Sequence, residues 1–306
     1  MVEHCTENAG VPGSSPGFAI FLFPMHSSTE AIVLVTCPDR TGIVAKLTAA
    51  LHETGANILD AAQYTDESSE TFIQRVHVSW EGKQPNREAL QASLNGVIEE
   101  LNLDLHIKWG DETHKVAIFV SKEDHCLHDL LLLQRDGALH CEIAMVISNH
   151  PDLQDVALRF GIPFHHIPTD SDTEDIQLSL LQEHGVDLVV LARYMQVLSP
   201  EFIQHYENRI INIHHSFLPA FVGGKPYHQA HMKGVKLIGA TAHYATVELD
   251  AGPIIEQGII RVSHKDSIQN MIHKGRDIER TVLARAVRWH LENRIIVHHN
   301  RAVVFD

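Results

Sequence analysis

The chain has 306 residues, 44% of them hydrophobic, enough for one large domain or two ordinary ones, each with its own core. Asp and Glu number 39 against 24 Lys and Arg, a formal charge of -15, and no basic tail or stripe breaks the excess. Such a surface repels phosphate backbones, which argues against a tRNA, DNA or other nucleic-acid partner.

The first segment carries an apolar stretch from Phe18 to Phe23, but Glu3 and Glu7 precede it and no Lys or Arg does. That pattern makes a poor signal peptide and is too short to span a bilayer, so no membrane partner is expected. Residues 1–27 are expected to be disordered. Cys5, Cys37, Cys126 and Cys141 lack C-x-x-C spacing and are too few to staple a chain of this length. They read as buried thiols in a reducing, cytoplasmic compartment.

A first unit is expected over residues 28–109. Ala31 to Val35 reads as a strand, and Pro38 to Gly42 as a turn. Ile43, Leu47, Ala50 and Leu51 then fall at helical spacing. Asn57 to Tyr64 and Thr71 to Val78 read as a strand pair, Glu88 to Glu99 as a second helix, and Leu101 to Ile107 as a closing strand. The order β-α-β-β-α-β is that of a ferredoxin-like sandwich.

Residues 110–114 form a polar linker, and a larger unit is expected over 115–306. Lys115 to Val120, Ile143 to Ser148, Asp187 to Ala192 and Arg209 to His214 are short apolar strands. Each of the first three is followed by a potentially helical segment, which predicts an open, mostly parallel, Rossmann-like α/β sheet covered on both faces. Strands within 235–244 and 252–262 and a long helix over Ser267 to Glu292 complete it. Ligands of such sheets bind beyond the carboxyl ends of the strands, where Asn212 and His214 fall.

Alternation along a strand points Asn212 and His214 to one face and His215 to the other, and puts Thr241 and His243 together on a neighbouring strand. Asp250 follows in a turn closed by Gly252 and Pro253. An amide can donate to an oxyanion, an imidazole can shuttle a proton, and a carboxylate can orient water or an imidazole. No Ser or Cys sits beside them as a nucleophile, so water or a substrate amine is the expected attacking group. His214, His243 and Asp250 could also supply three metal ligands, but no H-E-x-x-H or comparable spacing supports a metal site, and none is expected.

The stretch "NIHHSFLPAFVGGKPYHQAHMKGVKLIGATAHYATVELDAGPIIEQ" resembles the formyl-folate transferase and hydrolase superfamily, whose motifs are N-x-H, S-x-L-P, G-x-T-x-H and D-x-G-P-I-I. "CPDRTGIVAKLTAAL" and "GANI" resemble an ACT regulatory domain, and together the two narrow the resemblance to the formyltetrahydrofolate deformylase family. It covers the chain from about Ala31 to the end, including "KGRDIERTVLARAVRWHLENR" as the long C-terminal helix. The resemblance implies a catalytic set of Asn212, His214 and Asp250 with His243 beside it. It also implies a pterin pocket walled by Leu191, Arg193, Tyr194, Met195, Val197 and Leu198. The implied reaction hydrolyses 10-formyltetrahydrofolate to tetrahydrofolate and formate without a cofactor. Transferases share the triad, so formyl transfer to an amine such as glycinamide ribonucleotide is the alternative.

Where the glycinamide ribonucleotide enzyme has a Gly-rich phosphate turn, this chain has Ser121, Lys122, Glu123 and Asp124. Two acids and no glycine oppose a phosphate, which favours water as acceptor. Ordinary capping of the following helix would explain the same acids. In the ACT-like unit the resemblance places a small amino-acid effector at Asp39, Gly42 and Asn57, usually across a subunit pair, and so implies a homo-oligomer. A turn with a helix cap is the plain alternative. A folate or amino-acid sensor with a retired catalytic domain is disfavoured, because all three triad residues are present.

Overall fold

In the computed structural model, residues 28–220 and 226–306 are described. The expectation of disorder for residues 1–27 lies outside them. Alternating apolar residues build a four-stranded antiparallel sheet from β1 (Glu30–Pro38), β2 (Asn57–Asp66), β3 (Thr71–Ser79) and β4 (Asp104–Trp109), in the order β2-β3-β1-β4. α1 (Ile43–Glu53) and α2 (Arg87–Leu101) cover one face, where Leu47, Leu51, Leu90 and Leu94 meet Val33, Val35, Val76 and Val78. Asn86 starts α2 by accepting from Ala89 N at 3.0 Å. The expected strand at Leu101 is corrected: Leu101 ends α2, Asn102 turns left-handed at φ 52°, and the strand begins at Asp104.

The larger unit runs β5 (Lys115–Val120), α3 (His125–Arg135), β6 (Glu142–Ser148), α4 (Gln154–Arg159), β7 (Phe164–His166), α5 (Thr173–Glu183), β8 (Leu188–Leu191), α6 (Pro200–His205) and β9 (Ile210–His214). It continues through α7 (Pro226–Lys233), β10 (Leu237–Tyr244), β11 (Ile254–Arg261) and α8 (Ile268–Leu291) to a hairpin of β12 (Ile295–His298) and β13 (Arg301–Val304). Its seven strands lie in the order β11-β10-β9-β8-β5-β6-β7. β5 to β9 pair in parallel, while β10 runs antiparallel to both β9 and β11. The chain leaves β5 toward β6 and β7, then returns to the other side at β8. In open α/β sheets ligands bind outside the carboxyl ends of the strands near such a reversal.

α3 and α8 cover one face of this sheet through Leu127, Leu131, Val282 and Leu283, and α5 and α6 cover the other through Leu181 and Phe202. α8 lies close on β11: a Cβ at Gly258 would come within 2.7 Å of the Ile278 and Val282 side chains. Among the described residues no helix is long and apolar enough to cross a membrane.

On the outer face of the small sheet the polar residues Arg75 and His77 of β3 are buried, and the end of the larger unit covers Arg75. Arg75 on β3 has a side chain only 5% exposed. Its Nε donates to Asn293 O at 3.0 Å and its Nη2 to Glu292 O at 3.3 Å, carbonyls at the end of α8. Asp66 pairs with Arg301, and Ser69 Oγ lies 2.9 Å from His298 Nε2. Arg75→Met leaves the helix-end carbonyls without these donors and should cost about 1–3 kcal/mol of stability. Urea unfolding measures it, and an unchanged midpoint would contradict this role for Arg75.

Candidate active site

The register between β9 and β10 sets Thr241 opposite His214 and His243 opposite Asn212. Four polar side chains thereby share one face of two adjacent strands. Thr241 Oγ1 donates to Ser216 O at 2.9 Å and accepts from Leu218 N at 3.0 Å, which fixes the chain leaving His214.

His243 is 2% exposed, and burial lowers its pKa, so the ring is neutral at physiological pH. Its Nδ1 lies 2.9 Å from Tyr244 O, a pure acceptor, so Nδ1 carries the proton and Nε2 can only accept. Asn212 Nδ2 lies 3.2 Å from that Nε2 and must be the donor. One amide hydrogen is thus committed to His243, and the other remains for a ligand.

Asp250 sits in a turn between β10 and β11 at φ 57°, in the left-handed region that non-glycine residues seldom occupy. This conformation accompanies a carboxylate returned to the strand ends, with Oδ1 3.1 Å from His214 Nδ1 and 3.8 Å from His243 Nε2. The hydrogen bond from His214 holds Asp250 below the usual carboxylate range, against the burial that works to raise it. His214 Nδ1 therefore donates. Its Nε2 is buried with no hydrogen-bond partner among the described residues.

These groups form the floor of a pocket of about 370 Å³. Leu191 and, from the loop after β8, Tyr194, Met195, Val197 and Leu198 make one wall, and Ala245 to Val247 with Leu249 make another. Val197, Val247 and Leu249 are 72%, 63% and 59% exposed, apolar groups facing an open cleft. That geometry suits a flat, largely apolar ring with polar edges. The second wall was not anticipated, although two apolar residues in the short turn leading to Asp250 were its signal.

Arg193 does not line the pocket. Its backbone adopts φ 66°, and its Nε lies 3.5 Å from the buried Glu279 of α8. Glu279 also escaped the sequence, since a single acid on a long polar helix ordinarily faces water. Asp39, Gly42 and Asn57 are all exposed on the smaller unit, with Gly42 at φ 90° before α1.

The acids after β5 do not cap α3. Asp124 occupies the cap position without a side-chain cap bond; its carboxylate lies 3.7 Å from His128, and Glu123 pairs with Arg276. Ser121 donates to Asn149 Oδ1 at 2.7 Å and accepts from Met195 N at 3.0 Å, bracing the first pocket wall. A metal on His214, His243 and Asp250 would compete with the bonds these rings already make. The set that brings three ligand atoms within 4.8 Å of one another among the described residues is His125, Cys126 and Glu279.

The formyl transferase family matches residues 114–287, and the ACT domain family residues 31–79. A formyltetrahydrofolate deformylase of Synechocystis is 50% identical over 279 residues, covering 90% of this chain and 98% of the relative. The crystal structure of a formyltetrahydrofolate deformylase from Pseudomonas syringae superimposes with a TM-score of 0.88 at 45% identity, over 90% of this chain and 94% of that one. A glycinamide ribonucleotide transformylase from Symbiobacterium toebii gives a TM-score of 0.60 at 30% identity, over 63% of this chain and 95% of its own. The deformylase matches span both units and nearly the whole length of their relatives, whereas the transformylase match stops at about two thirds of this chain. The chain belongs to the formyltetrahydrofolate deformylase family, with an ACT domain joined to a formyl transferase domain.

Proposed function

We propose that the chain hydrolyses 10-formyltetrahydrofolate to tetrahydrofolate and formate at the pocket floored by Asn212, His214 and Asp250. The observation that carries this reading is the pair of polarised contacts, Asp250 to His214 and His243 to Asn212, below two apolar walls. The pterin ring enters between Met195 and Val197 on one side and Val247 and Leu249 on the other. Asp250 holds a water against the formyl carbon and takes its proton as the carbon to oxygen bond forms. The free Asn212 N–H and the His214 Nε2–H, on the imidazolium that Asp250 stabilises, meet the oxyanion as it forms. Cleavage of the carbon to N10 bond then passes the His214 proton to N10. Residues 115–306 constitute the catalytic domain on this reading, and residues 28–109 the regulatory one.

A small amino acid binds the ACT domain at Asp39, Gly42 and Asn57, between two copies of the chain. The free edge of the small sheet at β2, with Ile58, Leu59 and Tyr64 exposed, supports such pairing. The enzyme is a cytoplasmic homo-oligomer on this account, consistent with the free thiols of Cys37, Cys126 and Cys141.

Asp250→Asn should lower kcat by about 10²-fold or more while far-UV dichroism and melting are retained; turnover near the wild-type rate would remove Asp250 from the mechanism. His243→Leu releases the Asn212 amide and should lower kcat by about 10²-fold with KM little moved. Steady-state kinetics separate the two effects, and a change in KM alone would make His243 a binding residue instead. Because the His214 hydrogen bond depresses the Asp250 pKa, its contribution to stability is complete above the ordinary unfolded value of about 3.9 and is lost as pH falls through the lower folded value. Acid unfolding of Asp250→Asn should therefore show a shallower pH dependence below that point. Exhaustive dialysis against a chelator should leave turnover unchanged, and loss restored by a divalent metal would replace this mechanism.

A further inference from the structure

Between the two units lies a cavity of about 580 Å³, which shares no lining residue with the catalytic pocket. A volume of that order holds a small organic ligand. The small sheet forms one side of it: Leu34 of β1 stands opposite His106 of β4, and Lys108 follows two residues on, on the same outer face. The larger unit forms the other side with His114, Arg209, Tyr244 and His290, joined by β12.

Tyr244 is 2% exposed, and its Oη lies 2.7 Å from His290 Nδ1. Burial raises the phenol pKa and lowers that of His290 to about 3, so the hydroxyl keeps its proton and the ring is neutral. Nδ1 is the acceptor within reach of that hydroxyl among the described residues, so Nε2 carries the ring's proton and remains a donor. The charges of His114, Lys108 and Arg209 act on this ring in the same direction as burial, and no carboxylate opposes them. Among the described residues Lys108 has no ion-pair or hydrogen-bond partner. Arg209 donates from Nη2 to His205 O at 2.6 Å and stacks at 4.9 Å over Tyr206, but no carboxylate pairs with it. The acids of the cavity are engaged elsewhere. Asp187 Oδ2 accepts from Lys115 N at 2.8 Å, and Asp104 lies 3.2 Å from His106, both of their side chains largely exposed.

Two cations and an imidazole N–H that converge on one cavity without a counter-ion create a positive potential that an anion relieves. Leu34, Ile295 and Val297 add apolar side chains to the same lining. We propose that this cavity binds a small organic anion. Lys108, Arg209 and the His290 N–H take its carboxylate or phosphate head, and Leu34, Ile295 and Val297 receive its apolar body. The site is separate from the amino-acid position at Asp39, Gly42 and Asn57, none of which lines the cavity.

Titration calorimetry of the full-length protein with benzoate and, separately, with phenyl phosphate tests this site. At least one probe should bind saturably, once per chain, with a Kd of about 1 mM or tighter, and the tighter of the two identifies the head group. Lys108→Met keeps the apolar stem and removes the charge, and Arg209→Gln alters an exposed side chain. Each should weaken the binding about fivefold or more, whereas Asp39→Ala and Asp250→Asn should leave it unchanged. Thermal melting confirms that each variant is folded, and should Lys108→Met fail to fold, Arg209→Gln decides alone. No saturable heat from either probe up to about 20 mM would overturn the proposal. So would binding that Lys108→Met and Arg209→Gln leave intact, or binding lost in Asp39→Ala or Asp250→Asn, which would place the anion at the amino-acid position or in the catalytic pocket.

Discussion

Thr241 stands opposite His214 and His243 opposite Asn212 because β10 runs antiparallel to β9 in one register, and the rest of the site depends on that alignment. A slip of β10 by one residue would turn Thr241 and His243 into the apolar layer beneath α8 and away from Asn212 and His214. The same register sets the turn after β10 at the strand ends, so Asp250 can reach His214 from a left-handed backbone. Nothing in the chemistry requires a mobile element to assemble the donors. Asn212 is oriented by a neutral histidine, and that histidine by a backbone carbonyl.

The strand part of the candidate site was legible because polar residues interrupt apolar strands at spacing two, and alternation alone places Asn212 with His214 and Thr241 with His243. Its roles came from the resemblance, since an amide, an imidazole and a carboxylate suit several acyl-transfer chemistries. The second pocket wall was hidden, because Val247 and Leu249 resemble ordinary turn residues until Asp250 is known to fold back. Arg193 illustrates the converse. Its neighbours Tyr194 and Met195 line the pocket, but a single positive φ carries its side chain to Glu279, and no periodicity rule reports a dihedral angle. The strand β7 has three residues, two of them His, and the hairpin of β12 and β13 is broken by His298, His299 and Asn300. Both fall below the length at which alternation is informative.

α8 connects these observations. Its last carbonyls accept from Arg75 of the ACT domain, its apolar face packs on β9, β10 and β11, and Glu279 on the same helix holds Tyr227 and His125. Ser121 adds a second brace, tying the loop of Met195 to the end of β5, in the place where phosphate binding would have needed glycine.

The central claim is that water, held by Asp250, attacks the formyl carbon. Turnover of 10-formyltetrahydrofolate in heavy-oxygen water, with no amine present, tests it most directly through the isotopic content of the formate. The account predicts equal amounts of tetrahydrofolate and formate, with a single solvent oxygen in each formate. Tetrahydrofolate that appears only after an amine is added, with the formyl group recovered on that amine, would contradict it.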